Sequence, residues 1–581
     1  MKRALACWWR GPSVIRRTLL LAGAALLAFA PLAAQAPLTA QIDPQRLAQH
    51  VQSLGSDAFE GRGPATAGET KTVAYLTDQF AKAGLQPGGD LVNGKRQWTQ
   101  AVPLLRSEFV GNPQVTLDLA GKPMPLTQGN EIAVRAPTNG DKAMMIDGAP
   151  LVFAGYGVKA PERGWDDFKG QDMRGKIMVV LVNDPDFEGG EGNFGGKAMT
   201  YYGRWTYKYE EGARQGAKGV LVIHETDPAS YGWNTVKNSN TIANFDIVRK
   251  DPGAEHPPLE GWIQRDLASQ LFAASGTSFE AMKAAAKRKD FKPVPLKAKM
   301  TIHGNAKTEV ITSHNVVGIL PGTTRPDETI IYTAHWDHLG IGQPDATGDR
   351  IYNGAIDNGT GLAQLIEQAR AFATGPRPQR SVIFMAVTAE EKGLLGSEYY
   401  AANPLYPLGK TAGMINTDVM GVLGPAHDFS IRGNQKFGLL DLLIDEGAKR
   451  GRRYTPDPHP ETGGFFRSDH FTLAKAGVPA MSFSPGQDLF TGGVPRAQAW
   501  SEMYTSKMYH QPADEYDSNW DFTGEAADAE LIHAVGLRLA NSCDWPNWSA
   551  DSEFRAARDR TAAERQATCA TTPKPKAGER G

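Results

Sequence analysis

Residues 329–361 read TIIYTAHWDHLGIGQPDATGDRIYNGAIDNGTG and join an apolar, strand-like run to a glycine-rich turn. In an α/β protein, polar side chains that follow such a strand lie at the edge of the sheet. Imidazole and carboxylate groups together are typical ligands of a divalent cation such as zinc. The stretch therefore predicts half of a metal site, with His335, Asp337, His338 and Asp357 as candidates.

Strand-like and helical patterns alternate around this stretch. Such alternation is typical of a largely parallel sheet covered by helices. The predicted fold class is therefore α/β, with a mostly parallel mixed sheet flanked by helices. The strand-like runs lie at 314–320, 329–333, 381–387, 412–417 and 478–484, and the helical patterns at 361–373, 394–402, 436–449 and 524–541.

The overall charge argues against a nucleic-acid partner. The 62 basic residues nearly balance the 64 acidic residues, and the formal net charge is −2. This balance lacks the basic excess of a nucleic-acid-binding protein, so the expected partner is a small molecule or a peptide.

The N-terminus has the pattern of an export signal. Basic residues come first, then an apolar run at 19–30, then small residues that include Ala34 and Ala36. The apolar run is shorter than the roughly 20 residues of a membrane-spanning helix. We expect a signal peptide at 1–36 and a periplasmic or secreted protein with no further membrane attachment. A buried N-terminal helix and an uncleaved anchor are the alternatives, and a cleavage site near Ala34 or Ala40 stays open.

Cysteine usage agrees with export. Cys7 falls in the predicted signal, which leaves Cys543 and Cys569. In an oxidising compartment these two could form one disulfide, and two free thiols are the alternative.

At 581 residues the chain exceeds the usual domain size of about 50 to 250 residues, so more than one domain is expected. Short apolar runs between glycine-rich loops predict a small β-rich domain, inserted at 146–295. It resembles the protease-associated domain, chiefly at 175–180 and 212–220. Helical patterns at 44–54 and 68–85 and the loop Glu60-Gly61-Arg62-Gly63 are expected to form the N-terminal part, 37–145, of the larger domain that continues at 296–548. The polar tail 549–581 gives no basis for assigning structure.

Further imidazoles and carboxylates lie along the alternating region. Glu390, Glu391 and Asp418 follow predicted strands, and His510 comes last. Two histidines and three carboxylates exceed what one tetrahedral zinc needs, and suit two metals that share a carboxylate. Asp357, surrounded by glycines, is a reasonable bridge.

The two adjacent glutamates are expected to have different roles. Successive side chains of an extended strand point to opposite faces, so one can bind a metal while its neighbour acts as general base. The spacing does not say which of Glu390 and Glu391 is the ligand. Asp337 lies two residues after His335 and could fix its tautomer by accepting the other ring N–H.

Six short motifs occur in a fixed order between residues 301 and 541. They resemble the motifs of the co-catalytic zinc aminopeptidases, a family that also includes glutamate carboxypeptidases, glutaminyl cyclases and the transferrin-receptor ectodomain. The loop at 60–63 is similar to the lead-in of exported members. The motifs lie at 334–337, 353–361, 388–397, 416–418, 468–470 and 509–514.

The resemblance implies an enzyme that hydrolyses N-terminal residues from peptides with two zinc ions per chain. It makes Glu390 the general base that deprotonates the attacking water, and Asp337 the orienting partner. The tyrosine that polarises the substrate carbonyl in some relatives is not located. The implied ligands are His335 and Asp418 for one ion, Glu391 and His510 for the other, and Asp357 as the bridge.

Other readings stay open. The same fold could carry a carboxypeptidase or a glutaminyl cyclase, and a binding ectodomain without metals is a third class. Asp469 and His470 are expected to support the site, and His338 to be an ordinary loop residue. Arg62 is expected to be solvated or paired in the interior, with contact to a substrate carboxylate as the alternative.

Overall fold

A mixed β-sheet forms the centre of the computed structural model, which describes residues 42–565 within one compact unit. Its middle strands run parallel and are buried almost throughout, as expected for a sheet covered on both faces. An antiparallel strand borders each side of the parallel group. The order across the sheet is Val294–Leu320, Arg380–Val387, Arg325–His335, Thr411–Thr417, Ala480–Pro485 and Asp428–Ile431.

Helices cover this sheet, and the predicted α/β class is confirmed. Gly361–Thr374 and Thr523–Asn541 pack on each other and on the strands, close to the predicted bounds. The helices are Pro44–Leu54, Ala67–Ala83, Trp205–Arg214, Trp233–Asn240, Arg265–Ala274, Phe279–Ala286, Gly361–Thr374, Leu395–Ala402, Gly438–Lys449, His470–Lys475, Gly493–Lys507, Thr523–Asn541 and Arg555–Arg560, with a single turn at Thr226–Ala229.

The first two helices are fixed by local capping. Asp43 accepts a hydrogen bond from the Gln45 N–H at the start of Pro44–Leu54, and Thr66 caps Ala67–Ala83 by accepting from the Gly68 N–H. Gly84 ends the second helix in the left-handed conformation, which glycine adopts without strain. The tight turn at 60–62 lies between these helices, with positive φ at all three residues.

A second hydrophobic core lies in a smaller, β-rich module. It contains Val115, Ile146, Leu221 and Ile302 among others, so this packing unit starts before the predicted boundary at residue 146. The module begins this early because the strands Gln114–Leu119 and Ala143–Phe153 pair with the first half of the strand Val294–Leu320. The module's strands are Gln114–Leu119, Lys122–Leu126, Ile132–Val134, Ala143–Phe153, Ile177–Leu181, Gly219–His224 and Leu259–Gln264.

One strand of 27 residues, Val294–Leu320, belongs to both sheets. Its first half pairs with Ala143–Phe153 in the small module, and its last residues pair with Arg380–Val387 in the central sheet. Between these parts it pairs with Thr99–Phe109. The Lys- and Pro-containing stretch 287–297 has the composition of a linker, but it already contains the start of this strand.

Two local predictions differ from the structure. The pattern at 262–272 predicts a helix, but its first three residues end the strand Leu259–Gln264, which is buried between Gly219–His224 and Ile132–Val134. Residues 549–565 pack on the core: Phe554 is buried, and Arg558 donates from Nη1 to the Thr411 carbonyl at 2.9 Å.

The predicted signal peptide, Cys7, Cys569 and the end of the tail lie outside the described residues. Cys543 takes part in a disulfide bond, and its pairing with Cys569 stays a prediction. Among residues 42–565, no helix is both long and apolar enough to cross a membrane.

Candidate metal centre

The candidate ligands meet because parallel strands end at one edge of the sheet. His335 is the last residue of Arg325–His335, Asp418 follows Thr411–Thr417, and Glu390 follows Arg380–Val387. The three side chains offer donor atoms that all lie within 4.8 Å of one another.

Asp357 lies between two histidines. Its Oδ1 is 3.3 Å from His335 Nε2, and its Oδ2 is 3.3 Å from His510 Nε2. His335 Nε2 is also 3.3 Å from Asp418 Oδ1, and His510 Nε2 is 3.1 Å from Glu391 Oε2. The structure thus brings together all five predicted ligands, with Asp357 between the two imidazoles.

These distances fit a divalent metal. Two ligands about 2.0 to 2.1 Å from a tetrahedral zinc are about 3.3 Å apart. Within the described part of the chain, His510 Nε2 and Glu391 Oε1 are buried and have no hydrogen-bond partner. Unpaired buried donors and acceptors are costly, so their convergence here indicates a position for a cation.

His338 lies at this centre, contrary to the expectation of an ordinary loop residue. It is fully buried, and its Nδ1 is 2.8 Å from Glu391 Oε1. This close contact does not have the geometry of a hydrogen bond, and neither ring nitrogen of His338 has a hydrogen-bond partner among the described residues. His338, Asp357 and Glu391 form a second group of donor atoms within 4.8 Å. Glu391 therefore has two imidazoles beside it, His338 within this group and His510 at 3.1 Å.

Glu390 belongs to the first donor group, together with His335 and Asp418. Burial raises the pKa of Glu390 well above its usual value, and the carboxylates of Asp418 and Glu391 add to the increase. Ala389, directly before it, has a φ of 54°, which turns the chain sharply between the strand and the two glutamates.

Asp337 supports the centre differently from the expectation. His335 Nδ1 donates to the backbone carbonyl of Asp337 at 3.1 Å, whereas the carboxylate is 3.8 Å away. The carboxylate accepts from the backbone N–H groups of Glu390 and Glu391, at 3.0 and 3.3 Å. The main chain thus fixes the histidine tautomer with Nε2 free for a metal, and the carboxylate fixes the two glutamates. Burial raises the pKa of Asp337 to about 6.

Arg62 is an interior residue with no exposed surface. Its Nε donates to the Trp336 carbonyl at 2.9 Å, and Nη2 donates to the Gly354 carbonyl at 2.8 Å. Its Nη1 donates to the carbonyls of Asn353 at 2.6 Å and Leu54 at 2.8 Å. The guanidinium therefore ties the loop after His335 to the loop before Asp357.

Sequence reasoning missed three further residues that hold the ligand loops. Asp514 accepts from the Ile356 and Asp357 N–H groups at 2.9 and 3.1 Å. Asn358 donates to the Thr417 carbonyl and accepts from the Val419 N–H. Arg432 donates to the Asp418 carbonyl at 3.0 Å. The sequence offered a signal for Asp514, because it ends the motif that contains His510. The roles of Asn358 and Arg432 follow only from the fold.

Asp469 and His470 are buried and outside both donor groups. Asp469 Oδ1 accepts from Ser397 Oγ at 2.6 Å. Burial lowers the pKa of His470 to about 3, so its ring is neutral. Their positions agree with a supporting role.

Tyr509 is a candidate for the tyrosine that polarises the substrate carbonyl. Its ring stacks on His510 at a centroid distance of 3.9 Å, and the side chain lines the same cavity as Glu390. The side chain is 42% exposed. Desolvation of the hydroxyl within the cavity and the carboxylates of Asp357 and Glu391 raise the pKa of Tyr509, so the phenol keeps its proton. The sequence signal was its place directly before His510.

The centre opens into a cavity of about 1480 Å³ between the central sheet and the small module. Glu390, Glu391 and His510 line it on one side, and Arg204, Tyr209 and Asp246 on the other. A peptide could therefore reach the candidate ligands.

Together, the parallel strands and the clustered histidines and carboxylates define an α/β protein with a candidate metal centre at the carboxyl edge of its sheet. Residues 315–533 match the model of peptidase family M28.

Individual proteins are similar over shorter stretches. Aminopeptidase NAALADL1 of Mus musculus is 35% identical over 133 residues, which is 22% of this chain and 16% of that protein. A probable zinc metalloprotease of Pyrenophora teres f. teres is 35% identical over 211 residues, 35% of this chain and 39% of that protein. The chain thus spans less than half the length of the curated relatives it matches.

The solved structure of an aminopeptidase from Aneurinibacillus sp. strain AM-1 is also similar. It superposes with a TM-score of 0.47 at 19% sequence identity, over 87% of this chain and 96% of that chain.

Proposed function

We propose that this protein is a zinc-dependent exopeptidase that binds two zinc ions and removes N-terminal residues from peptides. The observation that carries the proposal is Asp357, which lies 3.3 Å from an imidazole on each side. His335 and Asp418 would hold one ion. Glu391 and one or both of His510 and His338 would hold the other.

Zinc in such a centre lowers the pKa of coordinated water and polarises a carbonyl oxygen. The chain's own residues supply the rest. Glu390 removes a proton from the attacking water, and the same carboxyl returns it to the departing amine. The Tyr509 phenol donates a hydrogen bond to the carbonyl oxygen as negative charge develops on it.

Aminopeptidase is preferred to the other activities for two reasons. Two donor clusters joined by a carboxylate suit two ions, one of which can also hold a free α-amine. The name of the mouse relative, Aminopeptidase NAALADL1, points the same way. Carboxypeptidase and glutaminyl cyclase remain the second candidates.

The test is release of the first residue from aminoacyl chromogenic substrates, loss of release with a chelator, and recovery with zinc. Peptides with a free and with an acetylated N-terminus separate the activities, because an aminopeptidase cleaves only the free form. Protein without tightly bound metal by elemental analysis would contradict the proposal.

Two variants separate the roles of base and ligand. Glu390→Ala is expected to keep its zinc and lose about 10²- to 10⁴-fold in kcat, the usual contribution of a general base. Asp357→Ala is expected to lose zinc. Equal zinc loss in both variants would mean that the two roles are wrongly assigned.

We also propose that the protein acts after export and that the small module is a protease-associated domain that influences substrate access. The pattern at 1–36 and the runs at 175–180 and 212–220 support these proposals. N-terminal sequencing of the protein recovered from the periplasm and the medium tests export. A mature protein that begins at Met1 would contradict it.

A further inference from the structure

A chain of buried hydrogen bonds joins the second helix to the turn that carries Glu390. Ser313, on the long strand Val294–Leu320, donates from Oγ to Glu69 Oε2 at 2.8 Å. The same Oγ lies 2.6 Å from Thr388 Oγ1, and Thr388 is two residues before Glu390. Ser313 and Thr388 have no exposed surface, and Glu69 is buried. These contacts connect three segments that lie far apart in the sequence.

The direction of the chain follows from its donors and acceptors. The Glu69 carboxylate only accepts hydrogen bonds, so the single hydroxyl proton of Ser313 goes to Glu69. Thr388 must then donate its own proton to Ser313 Oγ, because that oxygen has no second proton to give. Both hydroxyl groups are thereby fixed in orientation, and the Thr388 side chain is tied to a carboxylate on another segment.

Glu69 is itself a fixed anchor. The Ala65 N–H donates to its Oε2, and His314 Nδ1 lies 2.8 Å from its Oε1. Glu69 lies in the first turn of the helix Ala67–Ala83, where the helix dipole favours a negative charge. Contacts to both oxygens leave this carboxylate little freedom to move.

The turn at the other end of the chain needs such support. Ala389 has a φ of 54°, a conformation that a residue with a β-carbon keeps only when its surroundings impose it. Asn315, also on the long strand, accepts from the Thr388 N–H at 3.0 Å. After this residue the turn closes on itself, since the Leu395 N–H donates to the Ala389 carbonyl at 3.0 Å. The position of Glu390 therefore depends on how Thr388 is held.

Most of the candidate metal ligands do not depend on this chain. His335 ends its own strand, Asp418 follows another, and Asp357 lies in a loop held by Asp514. Among the predicted ligands, Glu391 shares the turn with Glu390. A small shift of the turn should therefore affect the general base while most of the ligand set stays in place.

We propose that Ser313 and Thr388 are positioning residues for the general base Glu390. They act through the main chain of the turn, with Glu69 as their anchor, and not by touching the substrate. This inference rests on the proposed peptidase function. A displacement of about 1 Å in a reacting group can cost about 10²-fold in rate, because proton transfer needs a defined distance.

The experiment compares variants of buried hydroxyl groups in the zinc-loaded protein. Thr388→Val and Ser313→Ala each break the chain. Thr329→Val is the matched control, because Thr329 Oγ1 and Thr411 Oγ1 lie 3.0 Å apart in a similar buried pair. That pair lies toward the opposite end of the parallel strands from Glu390. The control thus removes a comparable hydrogen bond without touching the turn.

The kinetic result should separate positioning from general stability. Thr388→Val and Ser313→Ala are each expected to lower kcat by about 10- to 100-fold and to leave KM and zinc content close to those of the wild type. Thr388→Ser keeps the hydroxyl and is expected to restore kcat. The double variant should lose no more than the single variants, because both changes break one chain. Thr329→Val should keep kcat even where urea unfolding shows a similar loss of stability.

Hydrogen exchange followed by mass spectrometry tests the turn without relying on turnover. Peptides that cover 388–396 are expected to exchange about 2- to 10-fold faster in Thr388→Val and Ser313→Ala, the change that one hydrogen bond makes in a local opening equilibrium. Thr329→Val should leave the exchange of these peptides unchanged.

Each outcome decides a separate point. Unchanged exchange at 388–396 in both chain variants would overturn the proposal, and so would unchanged kcat in an active enzyme. An equal loss of kcat in Thr329→Val would assign the effect to general stability, and loss of zinc in Thr388→Val would assign it to Glu391. If exchange rises as expected but the wild-type protein cleaves no peptide, the chain still holds the turn and the proposed function alone fails.

Discussion

Replacing Arg62 tests whether the N-terminal turn holds the metal centre together. The side chain has no exposed surface, and its donors reach the carbonyls of Trp336, Leu54, Asn353 and Gly354 at 2.6 to 2.9 Å. Arg62→Ala removes these four hydrogen bonds, although the Gly354 carbonyl still accepts from the Gly359 N–H at 3.2 Å. It also removes a cation that faces the ligand carboxylates.

The cost follows from these contacts. A hydrogen bond to a charged group contributes about 1.5 to 3 kcal/mol, so four of them give about 6 to 12 kcal/mol. Water entering the vacated space will pair some of the carbonyls, which reduces the expected loss to about 4 to 8 kcal/mol. This is a large part of the about 5 to 15 kcal/mol that keeps a typical protein folded.

Urea unfolding with and without zinc measures the effect. Arg62→Lys keeps the charge and has three N–H donors, so it is expected to lose about half as much as Arg62→Ala. Lys71→Ala is the control from the same segment, since Lys71 pairs with Glu60 at the surface and should cost less than about 1 kcal/mol. A stable Arg62→Ala protein with unchanged zinc content would refute the reasoning.

Three further changes test other parts of the structure. His338→Ala should weaken zinc binding by about 10- to 100-fold in a chelator competition, because its ring contacts Glu391; unchanged affinity would make His338 a bystander. Burial lowers the pKa of His256, but the neighbouring carboxylates of Glu260 and Asp246 outweigh this effect and raise the pKa to about 10. The protonated His256 imidazole therefore stabilises the fold fully below its unfolded pKa of about 6.5, and this stabilisation is lost as the pH rises through 10. The melting temperature should accordingly fall less over this pH range in His256→Asn than in the wild type. Phe554→Ala should cost about 3 to 5 kcal/mol in urea unfolding, as for other buried aromatic residues; a change below about 1 kcal/mol would mean that residues 549–565 do not stabilise the core.

Much of the central fold could be predicted because its strands are buried on both faces. Such strands read as continuous apolar runs, and the helices between them have a clear period, so Arg380–Val387 and Gly361–Thr374 were located within a residue or two. Candidate ligands at the ends of parallel strands were predictable for the same reason.

The remaining features depend on contacts between distant residues. The burial of His338 follows from its packing near Glu391, 53 positions later, and no local pattern encodes that contact. The sequence after residue 548 is mostly polar, so it does not indicate that Phe554 packs on Trp548 and Phe465. The carbonyl partners of Arg62 lie up to 292 residues away along the chain. A single sequence contains the residues of such contacts but not the pairing between them.

The strand Val294–Leu320 makes the small module inseparable from the rest of the protein. A fragment that ended within this strand would expose the unpaired N–H and C=O groups of Thr99–Phe109 or Ala143–Phe153, and exposed edges of this kind promote aggregation. Limited proteolysis should therefore not release the module as a stable piece. Since one continuous backbone runs from one sheet into the other, the width of the cavity between them is set by the fold rather than by a flexible hinge.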